Sequence, residues 1–145
     1  MGARMFYKLI DFEYFNDKDS ILVALQSDSN CPFDIKRVFY IFDVPNDVVR
    51  GNHANRDSRF LFIVLKGQCK IRVDNGKVQK EIVLNTPKQG LYLDKMIWKQ
   101  MYDFSSDCVL LVLSDTYYNK DEYIYDYDEY RYIMGGGYSY TLMVA

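Results

Sequence analysis

Apolar residues in this chain fall into short runs separated by turn residues. The runs Phe6 to Phe12, Ser20 to Leu25, Arg37 to Phe42, Phe60 to Leu65, Cys69 to Val73, Glu81 to Leu84, Gly90 to Leu93 and Val109 to Leu113 have strand length and an all-β rhythm. Asn75-Gly76 lies between two of them, and that dipeptide tolerates the positive φ of a tight hairpin. Lys66-Gly67 marks another sharp connection. Pro32, Pro45 and Pro87 all fall outside the runs, where a missing amide donor costs a sheet nothing. The one helical pattern is Asn119 to Arg131, where Tyr123, Tyr127 and Tyr130 recur at helical spacing behind an acidic start, a pattern that reads as a packing face. Eight or more short strands predict a closed or sandwiched antiparallel architecture, a jelly roll or small barrel, with a pocket at one mouth.

We expect a single domain over residues 1–132 and a tail over residues 133–145, whose triple glycine cannot hold a helix. That tail reads equally as an added strand, a contact to another subunit or a stretch foreign to the domain. At 145 residues the chain is long enough to bury about two thirds of the surface its unfolded form exposes.

Composition removes several classes of function. With 18 basic against 20 acidic residues there is no electrostatic footprint for duplex nucleic acid. No apolar stretch approaches the roughly 20 residues of a spanning helix, and no signal core follows the N-terminus, so a soluble, cytoplasmic protein is expected. Cys31, Cys69 and Cys108 are an odd set without CxxC spacing, which reads as reduced, buried thiols. The 14 Tyr and 9 Phe suit either strands or a pocket that stacks sugars and bases.

The candidate chemistry centres on Arg50-Gly51-Asn52-His53-Ala54-Asn55, which contains the only histidine. One imidazole offers one proton-transfer group near neutral pH, although a lone histidine is more often structural. A metal site of the kind small barrels build from several histidines is missing, because Asn55 stands where a second would fall. No nucleophile elbow, phosphate loop or dinucleotide fingerprint is present.

Several blocks agree in order and spacing with one family: Pro32-Phe33-Asp34-Ile35-Lys36-Arg37-Val38-Phe39-Tyr40-Ile41, then Arg50-Gly51-x-His53, Gly67-Gln68-Cys69-Lys70-Ile71, Gly90-Leu91-Tyr92, Trp98, Tyr102-Asp103-Phe104-Ser105, and Cys108 through Asp115. Over roughly residues 5 to 130 the chain resembles the sugar 3,4-ketoisomerases. The resemblance implies a cupin-type jelly roll with a short C-terminal helix, free of metal and cofactor and usually a homodimer. Its substrate is a dTDP-linked 4-keto-6-deoxyhexose on the route to unusual amino sugars.

The same resemblance implies site residues. His53 falls on the catalytic base position, with Arg50 as an electrostatic partner for an enediolate or a phosphate and Tyr40 as a further catalytic candidate. Arg37, Asn55, Arg59, Lys66, Tyr92, Trp98, Lys99 and Tyr102 are implied in the nucleotide-sugar pocket, with Trp98 equally readable as a core filler. Lys99 occupies a place where the family varies and where product stereochemistry is influenced; of the galacto and gluco products at carbon 4, galacto is favoured. Two departures stand out: many members carry His-x-His where this chain has His53-Ala54-Asn55, and many carry tyrosine at Phe39. Asn55 still hydrogen-bonds but cannot titrate, and Phe39 lacks a hydroxyl able to shuttle a proton. A non-catalytic dTDP-sugar-binding cupin and a structural module in a larger assembly are the competing readings.

Overall fold

A computed structural model describes residues 5–136. In chain order the elements are β1 (Tyr7–Asp11), β2 (Phe15–Asp17), β3 (Ser20–Leu22), β4 (Arg37–Phe42), β5 (Arg50–Asn55), β6 (Phe60–Lys66), β7 (Cys69–Asp74), β8 (Gln79–Leu84), β9 (Gln89–Leu93), β10 (Trp98–Tyr102), β11 (Val109–Ser114), a 3-10 turn (Lys120–Glu122), β12 (Tyr123–Ile124), α1 (Tyr127–Arg131) and a π-helical turn (Tyr132–Gly136) that reaches into the triple glycine and is broken at Gly135, whose φ is +121°. Two five-stranded antiparallel sheets form a sandwich, one in the order β1-β9-β6-β11-β4 and the other in the order β12-β5-β10-β7-β8, while β2 and β3 form a separate hairpin.

Side-chain alternation explains the sandwich. Phe60, Phe62 and Val64 of β6, Leu110 and Val112 of β11, and Leu91 and Leu93 of β9 project inward from the first sheet. Cys69, Ile71 and Val73 of β7, Ile82 and Leu84 of β8 and Met101 of β10 meet them from the second. The central strand β6 is buried on both faces, because Leu61 and Ile63 pack outward under Phe12, Cys31 and Phe33. That double burial is why its sequence is a continuous apolar run.

The Asn75-Gly76 hairpin forms between β7 and β8. Asp74 accepts from Gly76 N at 2.7 Å, Asn75 accepts from Lys77 N and Val78 N at 2.9 and 2.8 Å, and Gly76 takes φ +92°. The three cysteines are free and buried.

The helix expected over Asn119 to Arg131 is broken into three pieces. Asn119 accepts from Asp121 N and ends in a single 3-10 turn, while Asp126 accepts from Asp128 N and Glu129 N and starts α1 afresh. Between them Tyr123 and Ile124 pair with Asn55 and Ala54 of β5, so a sheet edge outcompetes helical propensity. Tyr127 and Tyr130 do pack as expected. Tyr130 is fully buried against Trp98, Ala54 and Ile124, and its hydroxyl sits 2.9 Å from Asp74 O and 2.8 Å from Met96 O. Of the expected tail, residues 137–145 lie outside the described residues.

Candidate active site

β5 is an irregular strand, and its irregularity sets the site. Lys99 of β10 faces His53 and Met101 faces Arg50, but Gly51 lies opposite Gln100, so Asn52 is an extra residue. Gly51 and Asn52 take φ of +86° and +57° to make this bulge. Without it, residues three apart would face opposite sides of the sheet. With it, Arg50 and His53 share the face that carries Lys99 and the buried Met101. Asn55, two residues beyond His53, is on the same face, and Asn52 points away to accept from Gln100 at 2.7 Å.

At this end of the sandwich the inward faces carry polar residues. Lys99 is 2 % exposed; its Nζ donates to Asn55 Oδ1 at 2.7 Å and lies 4.7 Å from the centre of the Phe60 ring. Arg37 opens the inward row of β4, with its guanidinium 4.6 Å from the Phe39 ring and 5.0 Å from the Tyr118 ring. It pairs with no carboxylate among the described residues. The His53 ring lies 4.8 Å from Tyr123 and 5.7 Å from Tyr125, and Tyr123 lies 5.8 Å from Tyr118. A continuous aromatic lining therefore joins the imidazole to Arg37. Asn55 Nδ2 and Ser114 Oγ are buried without a hydrogen-bond partner among the described residues, and the strand registers put both on inward faces at this same end. Unpaired buried polar atoms are costly and concentrate where a ligand completes them.

Electrostatics fixes the form of the imidazole. Burial and the Lys99 charge lower the His53 pKa to about 4, an effect only partly opposed by the Gly51 carbonyl and the Asn55 side chain. The ring is thus neutral at pH 7. With Gly51 O 2.9 Å from Nδ1, the Nδ1 proton is donated to that carbonyl and Nε2 carries the lone pair. Burial likewise lowers Lys99 to about 7, opposed by the charge of Glu122. Glu122 is itself buried, accepting from Asp57 N and Ser58 N at 3.0 Å each and from the Ser58 hydroxyl. It ties the connection after β5 to the segment before β12.

Several implied pocket residues lie elsewhere. Tyr40 is on the outward face of β4, 64 % exposed and stacked on Phe42, because inward positions alternate as Arg37, Phe39 and Ile41. It lines a groove of about 320 Å3 with Ile41, Val44, Pro45, Val48 and Arg50, so Arg50 shares a face with His53 but a groove with Tyr40. Trp98 points away from Lys99 and packs under α1, 5.1 Å from Tyr127 and 5.6 Å from Tyr130, which makes it a core filler. Tyr102, also on the outer face, donates to Glu81 and accepts from Arg72 at 3.2 Å. Arg59 is held by Asp115 at 2.7 Å, beside Tyr92 and Phe33. Lys66 closes β6 at its exposed end, opposite Val109. The structure thus gathers His53, Asn55, Lys99 and Arg37, and adds Tyr118, Tyr125 and Glu122, which the sequence did not single out, and Tyr123, whose spacing suggests only a helix face. Among the described residues no three His, Cys, Asp or Glu side chains converge as a metal-binding group.

In sequence and fold the chain is similar to known proteins. The model of the family described as WxcM-like, C-terminal, matches residues 5–135. The chain belongs to this family of sugar 3,4-ketoisomerases. It is 41 % identical over 124 residues, 86 % of this chain and 89 % of the relative, to the TDP-4-oxo-6-deoxy-alpha-D-glucose-3,4-oxoisomerase of Aneurinibacillus thermoaerophilus. Among solved structures it resembles WlaRA, a TDP-fucose-3,4-ketoisomerase from Campylobacter jejuni, with 53 % identity, a TM-score of 0.87, and coverage of 91 % of this chain and 98 % of that one. WlaRB, a TDP-quinovose 3,4-ketoisomerase from the same organism, stands at 38 % identity and a TM-score of 0.83, covering 86 % and 96 %. The sandwich is the cupin-like fold that the sequence resemblance implied, and the protein is a sugar nucleotide 3,4-ketoisomerase.

Proposed function

We propose that this isomerase converts dTDP-4-keto-6-deoxyglucose to its 3-keto isomer of galacto configuration, with His53 as the single carbon acid and base. The observation that carries this reading is the neutral, Nδ1-anchored imidazole of His53 in a lining that holds Arg37 without a carboxylate partner among the described residues. Nε2 takes the proton from carbon 3, the freed pair forms the carbon 3 to carbon 4 double bond, and the imidazolium returns the proton to carbon 4. In the gluco chair the carbon 3 and carbon 4 hydrogens lie on opposite faces of the ring. One base serving one face removes the first and delivers on that same side, which leaves the carbon 4 oxygen axial, the galacto arrangement. A gluco product needs an acid on the other face, and the chain has no second imidazole. The greater identity to the TDP-fucose enzyme than to the TDP-quinovose enzyme supports the same stereochemistry, fucose being the 6-deoxy sugar of galacto type.

Arg37 is the anchor proposed for the diphosphate, with Tyr118 and Tyr125, 60 % and 66 % exposed, as stacking faces for the thymine. Arg50 adds positive charge on the same face. A homodimer is the proposed assembly: Val38, Tyr40 and Phe42 stand 55 %, 64 % and 54 % exposed in a row on the edge strand β4, an apolar surface that a second copy would cover.

The test is proton NMR in deuterated water with dTDP-4-keto-6-deoxyglucose. A 3-keto product is expected, with the small coupling of an equatorial carbon 4 hydrogen wherever His53 returns the proton it took and with deuterium at carbon 4 wherever the imidazolium exchanges first, and His53→Asn should abolish turnover while dTDP affinity stays within a few fold. Saturable dTDP binding with neither 3-keto product nor exchange would favour the non-catalytic binding reading.

A further inference from the structure

Moving a ketone by one carbon needs two proton transfers on oxygen as well as two on carbon. As O4 gains charge it must be protonated or stabilised, and O3 must later lose its proton. His53 is occupied with the carbons. Phe39, on the inward row of β4, has no hydroxyl. The polar hydrogen donors buried beside His53 are the Lys99 ammonium and the Asn55 amide, and of these only the ammonium can give up its proton.

Lys99 is unusual for a cation. It is fully enclosed, faces His53 across the β5 and β10 pairing, and spends one of its three protons on Asn55. Its other neighbours are apolar, the Phe60 ring from β6 and its β7 partner Val73, while Glu122, already engaged by Asp57 N, Ser58 N and the Ser58 hydroxyl, supplies the compensating charge. A structural ion pair would place the carboxylate in contact. Here an amide oxygen positions the ammonium, which leaves protons available on the side of the imidazole.

We propose that Lys99 is a second catalytic residue, the acid and base for oxygen: it protonates O4 while His53 takes the carbon 3 proton, and then removes the O3 proton while His53 returns its proton to carbon 4. This deepens the isomerase reading and rests on it. In the first half, the carbon 3 to hydrogen pair becomes the carbon 3 to carbon 4 double bond, the carbonyl π pair moves onto O4, and O4 takes a proton from Nζ. The site then holds a neutral enediol, an imidazolium and a neutral amine. In the second half the amine takes the O3 proton, that O–H pair becomes the new carbonyl, and the double-bond pair takes the imidazolium proton at carbon 4. Both residues end as they began.

The buried pair carries one positive charge throughout, first on Lys99 and then on His53. Burial first and the Lys99 charge second keep His53 unprotonated, so passing the ammonium proton to substrate removes the repulsion as the imidazole takes its own proton. The Lys99 charge acts on His53 and the Glu122 charge on Lys99, and the titratable phenols of Tyr123 and Tyr125 pack against the imidazole ring.

The experiment compares wild type, Lys99→Met and Lys99→Arg in the deuterium-exchange assay and in pH-rate profiles, with dTDP affinity and melting temperature measured alongside. Activity of the wild type should rise above about pH 4, as His53 becomes neutral, and fall above about pH 7, as Lys99 loses its proton. Lys99→Met should lower kcat by about a hundredfold or more with dTDP affinity within threefold, move the acid limb upward in pH and abolish the alkaline limb. Lys99→Arg keeps the charge but cannot release a proton, and should be as inactive. A Lys99→Met kcat within fivefold of wild type would overturn the proposal, and so would full rescue by arginine, which would leave Lys99 a fixed charge. A wild type that forms no 3-keto product while binding dTDP would overturn the isomerase reading, and this inference with it.

Discussion

Replacing Lys99 with methionine should make the protein more stable, in spite of the activity it removes. Holding an ammonium in this interior lowers its pKa from 10.5 to about 7, and each unit of such a shift corresponds to about 1.4 kcal/mol, so the enclosed charge costs roughly 4–5 kcal/mol at or below pH 7. Methionine has similar length and no charge to desolvate. Against the gain stands Asn55 Oδ1, which loses its donor at a cost of about 1–3 kcal/mol. The net expectation is a stabilisation of roughly 1–4 kcal/mol at pH 6.5, or about 3–12 °C in melting temperature for a chain of this size. The pH dependence tests the cause. Between pH 7 and 10.5 the unfolded lysine binds a proton that the folded one has lost, so wild-type stability gains from rising pH across that window while the variant does not. The difference between the two proteins is the quantity to measure, because Cys69 and Tyr130, whose pKa values burial raises, act in the opposite sense in both. Thermal melts of both proteins from pH 6 to 10 should show a gap that narrows as pH rises. A variant less stable than wild type at pH 6.5, or a gap that widens with pH, would refute the reasoning.

Two further substitutions probe the site and its support. Arg37→Met removes the guanidinium between Phe39 and Tyr118, and steady-state kinetics should show KM raised by about tenfold or more with kcat changed little, since one charge-assisted contact to a phosphate is worth roughly 1.5–3 kcal/mol. Tyr130→Phe leaves the Asp74 and Met96 carbonyls without their shared donor, and urea unfolding should show a loss of about 1–3 kcal/mol with the kinetics intact, because Tyr130 lies on the opposite face of the sheet from His53.

Strands whose side chains make their own case were legible in the sequence. β4 was bounded to the residue, and the doubly buried β6 announced itself as an apolar run. β5 and β10 were not read as strands, since Arg50 to Asn55 contains hardly an apolar residue and Trp98 to Tyr102 alternates a lysine and a methionine inward. Polar residues on an inward face have no periodic signature, and these two strands are the ones that carry the site. The faces of Tyr40 and Trp98 were not legible for a related reason: a motif gives neighbours in sequence, whereas the face a residue occupies depends on strand phase, and one position of difference puts Tyr40 on the other side of the sheet from Phe39. Tyr123 was lost to a helix pattern because its spacing to Tyr127 is helical, and nothing local records that β5 has an open edge for it.

The phase of β5 is itself open to test. Gly51 takes φ +86°, and a Cβ there would stand 3.0 Å from Lys99 O and 3.0 Å from Met101 Cε. The methionine tip can move, but the carbonyl belongs to the β10 backbone and cannot. Gly51→Ala therefore meets a left-handed strain of about 1 kcal/mol together with a contact that pushes the bulge away from β10. The Gly51 carbonyl is also the acceptor that fixes His53 Nδ1 at 2.9 Å, so the displaced atom is the one that selects the imidazole tautomer. Losing that selection should lower kcat by more than tenfold, while melting falls by only a few degrees and dTDP affinity holds. Asn52→Gly is the control. It adopts the same left-handed region without a side chain to strain and gives up only a surface hydrogen bond to Gln100, so its turnover should stay near that of wild type. If alanine at 51 turned over normally, the bulge would be incidental to the chemistry. If both variants lost activity equally, the outer contact to Gln100, rather than the carbonyl beneath His53, would be what holds the strand in phase.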